Sequence, residues 1–327
     1  MKKQLLAAAV AATMASVASA DISITGNAKF EYFNTDNNGT KTNTTNTEVN
    51  LGIKGKSGDT SVVANLEFNT HGDVNNGSVA NVLDVEDLYM TTKVGDVTVK
   101  AGNYASGTSA LLGEIDEGGR VTNKVTLSTT LAGAKVYVGN DGSTGTGATA
   151  INNNMFAGVS MDVAGWTVQA KKNSPTVNSY GIKGSVAGVG VRLETKDNDT
   201  ANSDVTFGHL TYSNSGVDFG YAFLDVDNTD SLVGETDSAI FAKENGGIAS
   251  ARDNKQISVK TNIDGNTVTI KSGSIEKGIS STKDKDYFQV AASRKLASGA
   301  TFAATYTDED MSSGDKQTME LDLSVKF

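Results

Sequence analysis

The last ten residues of the chain, Thr318-Met-Glu-Leu-Asp-Leu-Ser-Val-Lys-Phe327, alternate strictly between apolar and polar side chains. The apolar ones are Met319, Leu321, Leu323, Val325 and Phe327. Successive side chains of a β-strand point to opposite faces, so this stretch predicts a strand with one apolar face and one polar face. Two structures provide such an environment. One is the edge strand of a soluble β-sheet, and the other is the closing strand of a transmembrane β-barrel with Phe327 at the lipid interface. The terminal aromatic residue favours the barrel.

The amino terminus has the features of a secretory signal peptide. Lys2 and Lys3 precede an apolar run over residues 5–17, and Ala18-Ser19-Ala20 forms a small-residue cleavage site. The apolar run is too short for a membrane-spanning helix. We therefore expect residues 1–20 to be cleaved as a signal peptide and residues 21–327 to form a single β-barrel domain.

Composition narrows the class of protein further. Without Lys2 and Lys3, 26 basic residues remain against 38 acidic ones, a net charge of about −12 that argues against nucleic acid as a partner. Cysteine is absent, which excludes disulfides and thiolate metal sites. The 35 glycines argue against long helices. The chain is expected to be all-β and exported.

Connection lengths predict an up-and-down antiparallel barrel. Eight short turns alternate with longer polar connections, a pattern typical of outer-membrane barrels. They lie at Ser57 to Asp59, Gly95-Asp96, Leu131 to Gly133, Ala164-Gly165, Ala187-Gly188, Asn214 to Gly216, Asp264-Gly265 and Ala297 to Gly299. Eight turns imply 18 strands, or 16 if residues 255–274 fold within a loop. Either barrel is wide enough for a water-filled lumen.

Three of the longer polar connections show no alternation of apolar and polar residues. They cover residues 34–46, 173–178 and 307–316, which are rich in Asn, Thr, Ser and Asp. Each is expected to be an exposed loop.

The third long connection, Asn103 to Arg120, differs from the others because it has an apolar centre. Leu111 and Leu112 lie at that centre and an acidic cluster follows, formed by Glu114, Asp116 and Glu117. We expect this loop to fold into the barrel with its acids facing the channel. Inward-facing bases on the wall would then oppose them and set a transverse field. The candidate bases are Lys29, Lys54, Lys100, Arg120 and Lys124.

Nothing in the sequence indicates catalysis, a metal site or a cofactor. The only two histidines, His71 and His209, are far apart, and no cysteine accompanies them. Gly55-Lys56-Ser57 lacks the preceding glycine of a phosphate-binding loop. We therefore expect no enzyme, no metal and no cofactor.

The chain resembles the general Gram-negative porins, especially the neisserial and alphaproteobacterial type. The resemblance is carried by the first strand Ile22-Ser-Ile-Thr-Gly-Asn-Ala-Lys-Phe30, by the acidic third loop with Arg120 and the hairpin from Asn123 to Tyr137, and by the strand ending in Phe327. It differs from the family in two respects, because the family commonly has 16 strands and its wall bases are usually arginines.

The resemblance implies an outer-membrane homotrimer in which each chain forms its own pore, in contact with lipid and lipopolysaccharide. It implies that the third loop forms the constriction, with Glu114, Asp116 and Glu117 facing Lys54, Lys100 and Lys124. It also implies that Phe327 is recognised by the barrel-assembly machinery.

The sequence therefore predicts a channel for passive diffusion of ions and small hydrophilic solutes across the outer membrane of a Gram-negative bacterium. The mature charge favours a mild cation preference, although selectivity follows the charge of the lumen rather than of the whole chain. The alternative is an envelope adhesin or surface-layer β protein without a channel. That alternative predicts no lipid-facing apolar belt.

Overall fold

The fold is taken from a computed structural model, which describes residues 21–73, 79–104, 121–140, 155–174, 176–199, 203–227, 251–277, 284–311 and 314–327. The predicted signal peptide and most of the third loop lie outside the described residues, and so do Glu114, Asp116, Glu117 and Arg120. Among the described residues, no helix is both long enough and apolar enough to cross a bilayer.

Eighteen β-strands form the described chain, with lengths of 7 to 18 residues. Their bounds are β1 Asp21–Asn37, β2 Thr40–Ser57, β3 Thr60–Asp73, β4 Val79–Val94, β5 Val97–Tyr104, β6 Val121–Leu131, β7 Ala134–Asn140, β8 Met155–Val163, β9 Trp166–Ser174, β10 Val177–Val186, β11 Val189–Asn198, β12 Ser203–Asn214, β13 Val217–Asp227, β14 Ala251–Ile263, β15 Asn266–Lys277, β16 Lys285–Lys295, β17 Thr301–Met311 and β18 Gly314–Lys326.

The strands close into one antiparallel barrel. Each strand pairs with its neighbours in sequence, and β1 also pairs with β18, from Asn27 opposite Lys326 to Asn37 opposite Lys316. The predicted all-β barrel is therefore confirmed, with the larger of the two strand numbers. Strands β14 and β15, which could have folded within a loop, lie in the wall between β13 and β16.

All eight predicted short turns join strands at one end of the barrel, which we call the turn end. Five of them place a non-glycine residue at φ of 48° to 51° directly before a glycine at positive φ: Ala132-Gly133, Ala164-Gly165, Ala187-Gly188, Ser215-Gly216 and Asp264-Gly265. Two consecutive residues at positive φ are what a two-residue hairpin turn requires for its twist to match that of the strands. The opposite end is called the loop end below.

Three predicted long loops at the loop end are wrong. Residues 34–46 are instead the paired ends of β1 and β2, joined by a tight turn at Asn38-Gly39, where φ is 52° and 82°. Strands also extend through most of residues 173–178 and 307–316. These strand ends carry polar side chains on both faces, so the apolar alternation that marks the rest of each strand is missing there although the backbone pairing continues.

The two faces of the wall differ in character. Apolar side chains on the outer face are 36% to 65% exposed and form a belt around the barrel, including Phe30 on β1, Leu193 on β11 and Leu323 on β18. Residues between them in sequence face inward. They are polar or charged over much of the wall, but β12, β13, β15 and β16 carry a buried apolar cluster on this face that includes Phe207, Leu224 and Ile275. On β16 the alternation is visible directly, because Lys285, Tyr287 and Gln289 are buried while Asp286 and Phe288 are exposed.

The barrel closes where Phe327 meets Gly26. The Gly26 N–H donates to the Phe327 carbonyl at 2.8 Å, and the Phe327 N–H donates to the Gly26 carbonyl at 2.9 Å. A Cβ atom at Gly26 would lie 2.7 Å from the Phe327 ring and 2.7 Å from the carbonyl oxygen of Asn50. Only glycine therefore leaves room for the terminal ring at the seam. The role of Phe327 in recognition by the assembly machinery stays a prediction.

Replacing Gly26 with valine is expected to reduce the yield of folded barrel, because the new side chain displaces the Phe327 ring or the adjoining β2 backbone. Refolding in detergent, followed by the gel shift that distinguishes folded from unfolded barrels, measures this yield. Ala28→Val on the same strand and the same outer face is the control. Equal yields for Gly26→Val and Ala28→Val would contradict a tight seam.

Candidate pore lining

The inner face of β5 to β11 is strongly basic. The pairing pattern places seven cations there, namely Lys100, Lys124, Lys135, Lys171, Lys183, Arg192 and Lys196, against two carboxylates, Asp162 and Glu194, among the described residues. The parity of these strands places the seven cations on the inner face of the wall.

Along the inner wall of β4 to β9, lysines alternate with aromatic rings. We call the set Tyr89, Lys100, Tyr104, Lys124, Phe156 and Lys171 the lysine–aromatic row. The Lys100 Nζ lies 3.8 Å from the Tyr89 ring centroid and 4.0 Å from that of Tyr104. The Lys124 Nζ lies 5.1 Å from the Tyr104 centroid and 4.8 Å from that of Phe156. Lys171 continues the row at 5.6 Å from Phe156.

These contacts hold the lysines against the wall. An ammonium over an aromatic face gains about 0.5–2 kcal/mol, and more when water is excluded. Lys124 is fully buried, and Tyr104 is 3% exposed, with its hydroxyl 2.7 Å from the Thr126 Oγ1. The positive charges of the row are thus fixed in position rather than carried on freely moving side chains.

Glycines on neighbouring strands make room for the rings beside this row. A Cβ atom at Gly158 would lie 2.2 Å from the Tyr137 hydroxyl oxygen, and one at Gly139 would lie 2.3 Å from the Phe156 ring. The Tyr137 hydroxyl accepts a hydrogen bond from the Gln169 side chain at 3.0 Å. A larger residue at Gly139 or Gly158 would therefore clash with the ring of the neighbouring strand.

Four of the five candidate bases lie in the described wall, namely Lys29, Lys54, Lys100 and Lys124. Lys100 and Lys124 sit on adjacent strands and share contact with Tyr104, so the structure brings them together. Lys54 also faces inward but stands on β2. Lys54 pairs with Val63, which leads across the sheet through Tyr89 and Gly102 to Lys124. Lys54 and Lys124 are therefore four strand spacings apart, or about 19 Å. Lys54 is therefore not part of the lysine–aromatic row.

The other side of the wall, β17 through β4, carries most of the inward carboxylates. Glu309 accepts hydrogen bonds from Lys285 at 2.7 Å and lies 3.2 Å from the Lys316 Nζ, and both Lys285 and Glu309 have side chains only 6% exposed. Next to this triad, Glu31, Glu320 and Asp322 have carboxylate oxygens within 4.8 Å of one another.

That carboxylate cluster already contains a cation from the chain itself. The ammonium of Lys29 forms an ion pair with Glu31 and lies 4.0 Å from Asp322. The Asn46 side chain donates to the second oxygen of Glu31 at 2.8 Å. This arrangement is an ion-pair network that joins β18, β1 and β2 across the seam, and it does not make a metal site.

Sequence reasoning missed the aromatic members of the row and the Lys285–Glu309–Lys316 triad. The alternation of the strands does predict that the aromatic residues face inward. Tyr104 has the same parity as Lys100 on β5, and Phe156 differs in parity from the outward Met155 and Val159 on β8. The histidines do not form a site together, because His71 is on β3 and His209 is on β12 opposite Arg192.

Lys100→Gln is expected to shift the zero-current potential in a salt gradient toward cation preference, because it removes a positive charge held in place by two rings. Lys54→Gln is the matched control on the same inner face. The charge of Lys54 is exposed and therefore screened by salt, so a smaller shift is expected. Potentials measured in planar bilayers for both variants provide the comparison. A larger shift for Lys54→Gln would contradict the importance of the row.

Comparison with known proteins agrees with the fold. No protein-family model matches the sequence, and no curated protein does. Among solved structures, Pseudomonas aeruginosa OpdK with vanillate aligns with a TM-score of 0.67 at 14% identity, over 94% of this chain and 98% of that one. OccK9 (OpdG) of the same organism gives 0.66 at 14% identity and the same coverage, and OccK2 (OpdF) gives 0.66 at 11%.

These likenesses define a structural class. The chain has the closed 18-strand antiparallel barrel of the OccK porin structures. At 11% to 14% identity the comparison extends to the fold and not to the solutes those proteins bind.

Proposed function

We propose that this chain is an outer-membrane channel for passive diffusion of ions and small hydrophilic solutes. The observation that carries the proposal is the two-faced wall: an apolar belt on the outside of a closed barrel and an inner face that is polar or charged over much of the wall. A closed barrel leaves no unpaired sheet edge within a bilayer, and its alternating faces suit lipid outside and water inside.

The solved structures that share the fold support this reading, because they are outer-membrane porins of Pseudomonas aeruginosa. The alternative of an adhesin or surface-layer protein without a channel predicted no apolar belt, and the described wall has one. Outer-membrane localisation is part of the proposal. The homotrimer implied by the sequence resemblance is also part of the proposal. The mass of the protein extracted in mild detergent tests it.

Liposome swelling tests diffusion directly. Liposomes that contain the folded protein are placed in isotonic solutions of uncharged sugars of increasing size. We expect swelling that is fast for the smallest sugars and slower as size increases, because a water-filled pore sorts uncharged solutes by size. Swelling no faster than that of protein-free liposomes would contradict the proposal.

The constriction is proposed to form between the acids of the third loop and the basic wall of β5 and β6. Lys100 and Lys124 stand on the strands that flank this loop, β5 and β6, which supports facing charges at that point. The loop acids Glu114, Asp116 and Glu117 keep the role that the sequence predicts for them.

Neutralising Glu114, Asp116 and Glu117 together as glutamines is expected to reduce cation preference, because three negative charges leave the path of the ions. The reversal potential in a salt gradient measures the change. Asp286→Asn with Asp310→Asn and Asp315→Asn, three carboxylates on the outer face, serves as the control. Unchanged reversal potentials in the loop variant would remove the acids from the proposed constriction.

A further inference from the structure

A groove of about 690 Å³ runs along the outer wall at the loop end of β13 to β18. Its lower part is lined by Tyr221, Ile257 and Phe288, which are outward-facing, exposed members of the apolar belt. Its volume is within the range of sites that hold small ligands. The groove is lined by residues of β13 to β18, whereas the lysine–aromatic row lies on β4 to β9.

The upper part of the groove is acidic. Asp286 on β16 stands directly opposite Asp310 on β17, and Asp310 stands opposite Asp315 on β18. Asp308 lies one step below, opposite Gln317 and Phe288. Carboxylates directly opposite each other on neighbouring strands repel, so this arrangement is unfavourable without a cation nearby.

Little positive charge from the chain balances these aspartates. Lys255 is the one cation among the residues that line the groove, and it stands on β14, two strands from Asp286. In the described part of the chain, none of the four aspartates forms an ion pair. The groove therefore offers an apolar floor that leads up to an uncompensated negative rim.

We propose that this groove binds a lipid with an amine-bearing, cationic headgroup. Its acyl chain lies along Tyr221, Ile257 and Phe288, and its ammonium lies among Asp286, Asp310 and Asp315. A free metal ion would leave the apolar side chains of the groove without a contact, and the aspartates would repel an anionic headgroup. The inference rests on the proposed membrane setting of the barrel.

The test compares how strongly the barrel retains a cationic and an anionic lipid. The full barrel is reconstituted in phosphatidylcholine that contains lysyl-phosphatidylglycerol and phosphatidylglycerol in equal amounts, and native mass spectrometry counts the lipids that remain bound. We expect lysyl-phosphatidylglycerol to be retained about tenfold over phosphatidylglycerol, which corresponds to about 1.4 kcal/mol. Equal retention, or phosphatidylglycerol retention that depends on added calcium, would overturn the proposal.

A matched pair of variants places the effect in the groove. Asp286→Asn with Asp310→Asn removes an outward pair of opposed aspartates within the groove and is expected to abolish the preference. Asp197→Asn with Asp204→Asn removes an equivalent opposed pair at the loop end of β11 and β12, outside the groove, and is expected to leave it intact. Equal loss in both double variants would show a general charge effect and overturn the assignment.

Conductance of the same preparations separates this inference from the proposed function. A preparation that conducts but shows no lipid preference contradicts the groove assignment alone. One that retains the cationic lipid but does not conduct contradicts the channel and leaves the groove assignment standing.

Discussion

Leu323→Arg is expected to lower the free energy of unfolding by about 2–4 kcal/mol, because it places a charge in the lipid-facing belt near its middle. Leu323 is 46% exposed on the outer face and stands between Phe30 on β1 and Phe302 on β17. These three side chains form part of a continuous apolar surface across the seam. An arginine there has no described partner within the belt and must reach the interface through lipid.

The effect is measured by denaturant unfolding in phospholipid vesicles, with fluorescence of Trp166, the single tryptophan of the sequence, as the signal. Thr305→Arg is the control, because Thr305 faces inward and pairs with Glu320. On that face the same arginine meets water and a carboxylate, so a change below about 1 kcal/mol is expected. Similar losses for the two variants would contradict the assignment of outer and inner faces.

Glu309→Gln is expected to destabilise the barrel by about 3–5 kcal/mol, because it leaves the buried ammonium of Lys285 without its counter-ion. Lys285 and Glu309 are each 6% exposed and lie 2.7 Å apart, and Lys316 is also held by Glu309 at 3.2 Å. The change removes a negative charge from between two lysines on β16 and β18. Their mutual repulsion adds to the cost.

Two further variants show whether the loss in Glu309→Gln comes from an unpaired buried charge. Lys285→Met with Glu309→Leu removes both buried charges and is expected to recover most of the lost stability, since the desolvation cost goes with them. Asp36→Asn breaks an exposed ion pair with Lys41, at 3.8 Å, and a loss below about 1 kcal/mol is expected. If Glu309→Gln costs no more than Asp36→Asn in vesicle unfolding, the triad does not stabilise the wall.

The barrel could be predicted from the sequence because its determinants are local. The turn-end hairpins are marked by a small or polar residue before glycine, as at Asp264-Gly265, and that chemistry sets the hairpin without help from the rest of the chain. Period-two alternation on strands such as β18 needs only one strand to be recognised. Counting turns left two strand numbers, 18 and 16, and the structure has the larger one.

The strand ends were harder to predict because their environment does not alternate. Residues 34–46 have water on both faces above the belt, so Thr and Asn serve on each side and no period remains. The pairing there is set by the Asn38-Gly39 turn and by the neighbouring β18. Both signals are overlooked when loops are inferred from polarity alone.

The pore lining could be predicted only in part because its contacts join strands distant in sequence. Alternation along each strand predicts that Lys100 and Lys124 face inward. Their shared contact with the Tyr104 ring depends on the register between β5 and β6, which one strand alone does not reveal. That register includes a shift at Gly102, where φ is 136°. Likewise, the Lys285–Glu309 pair requires the register of β16 with β17.

Single-channel recording in a planar bilayer shows whether the folded chain conducts ions. We expect stepwise, ohmic conductance from the refolded chain, together with a zero-current potential in a salt gradient that shifts toward cations in Lys100→Gln. Silence from protein verified as folded and inserted would contradict it, because the proposed function requires a water-filled path for ions through the lumen.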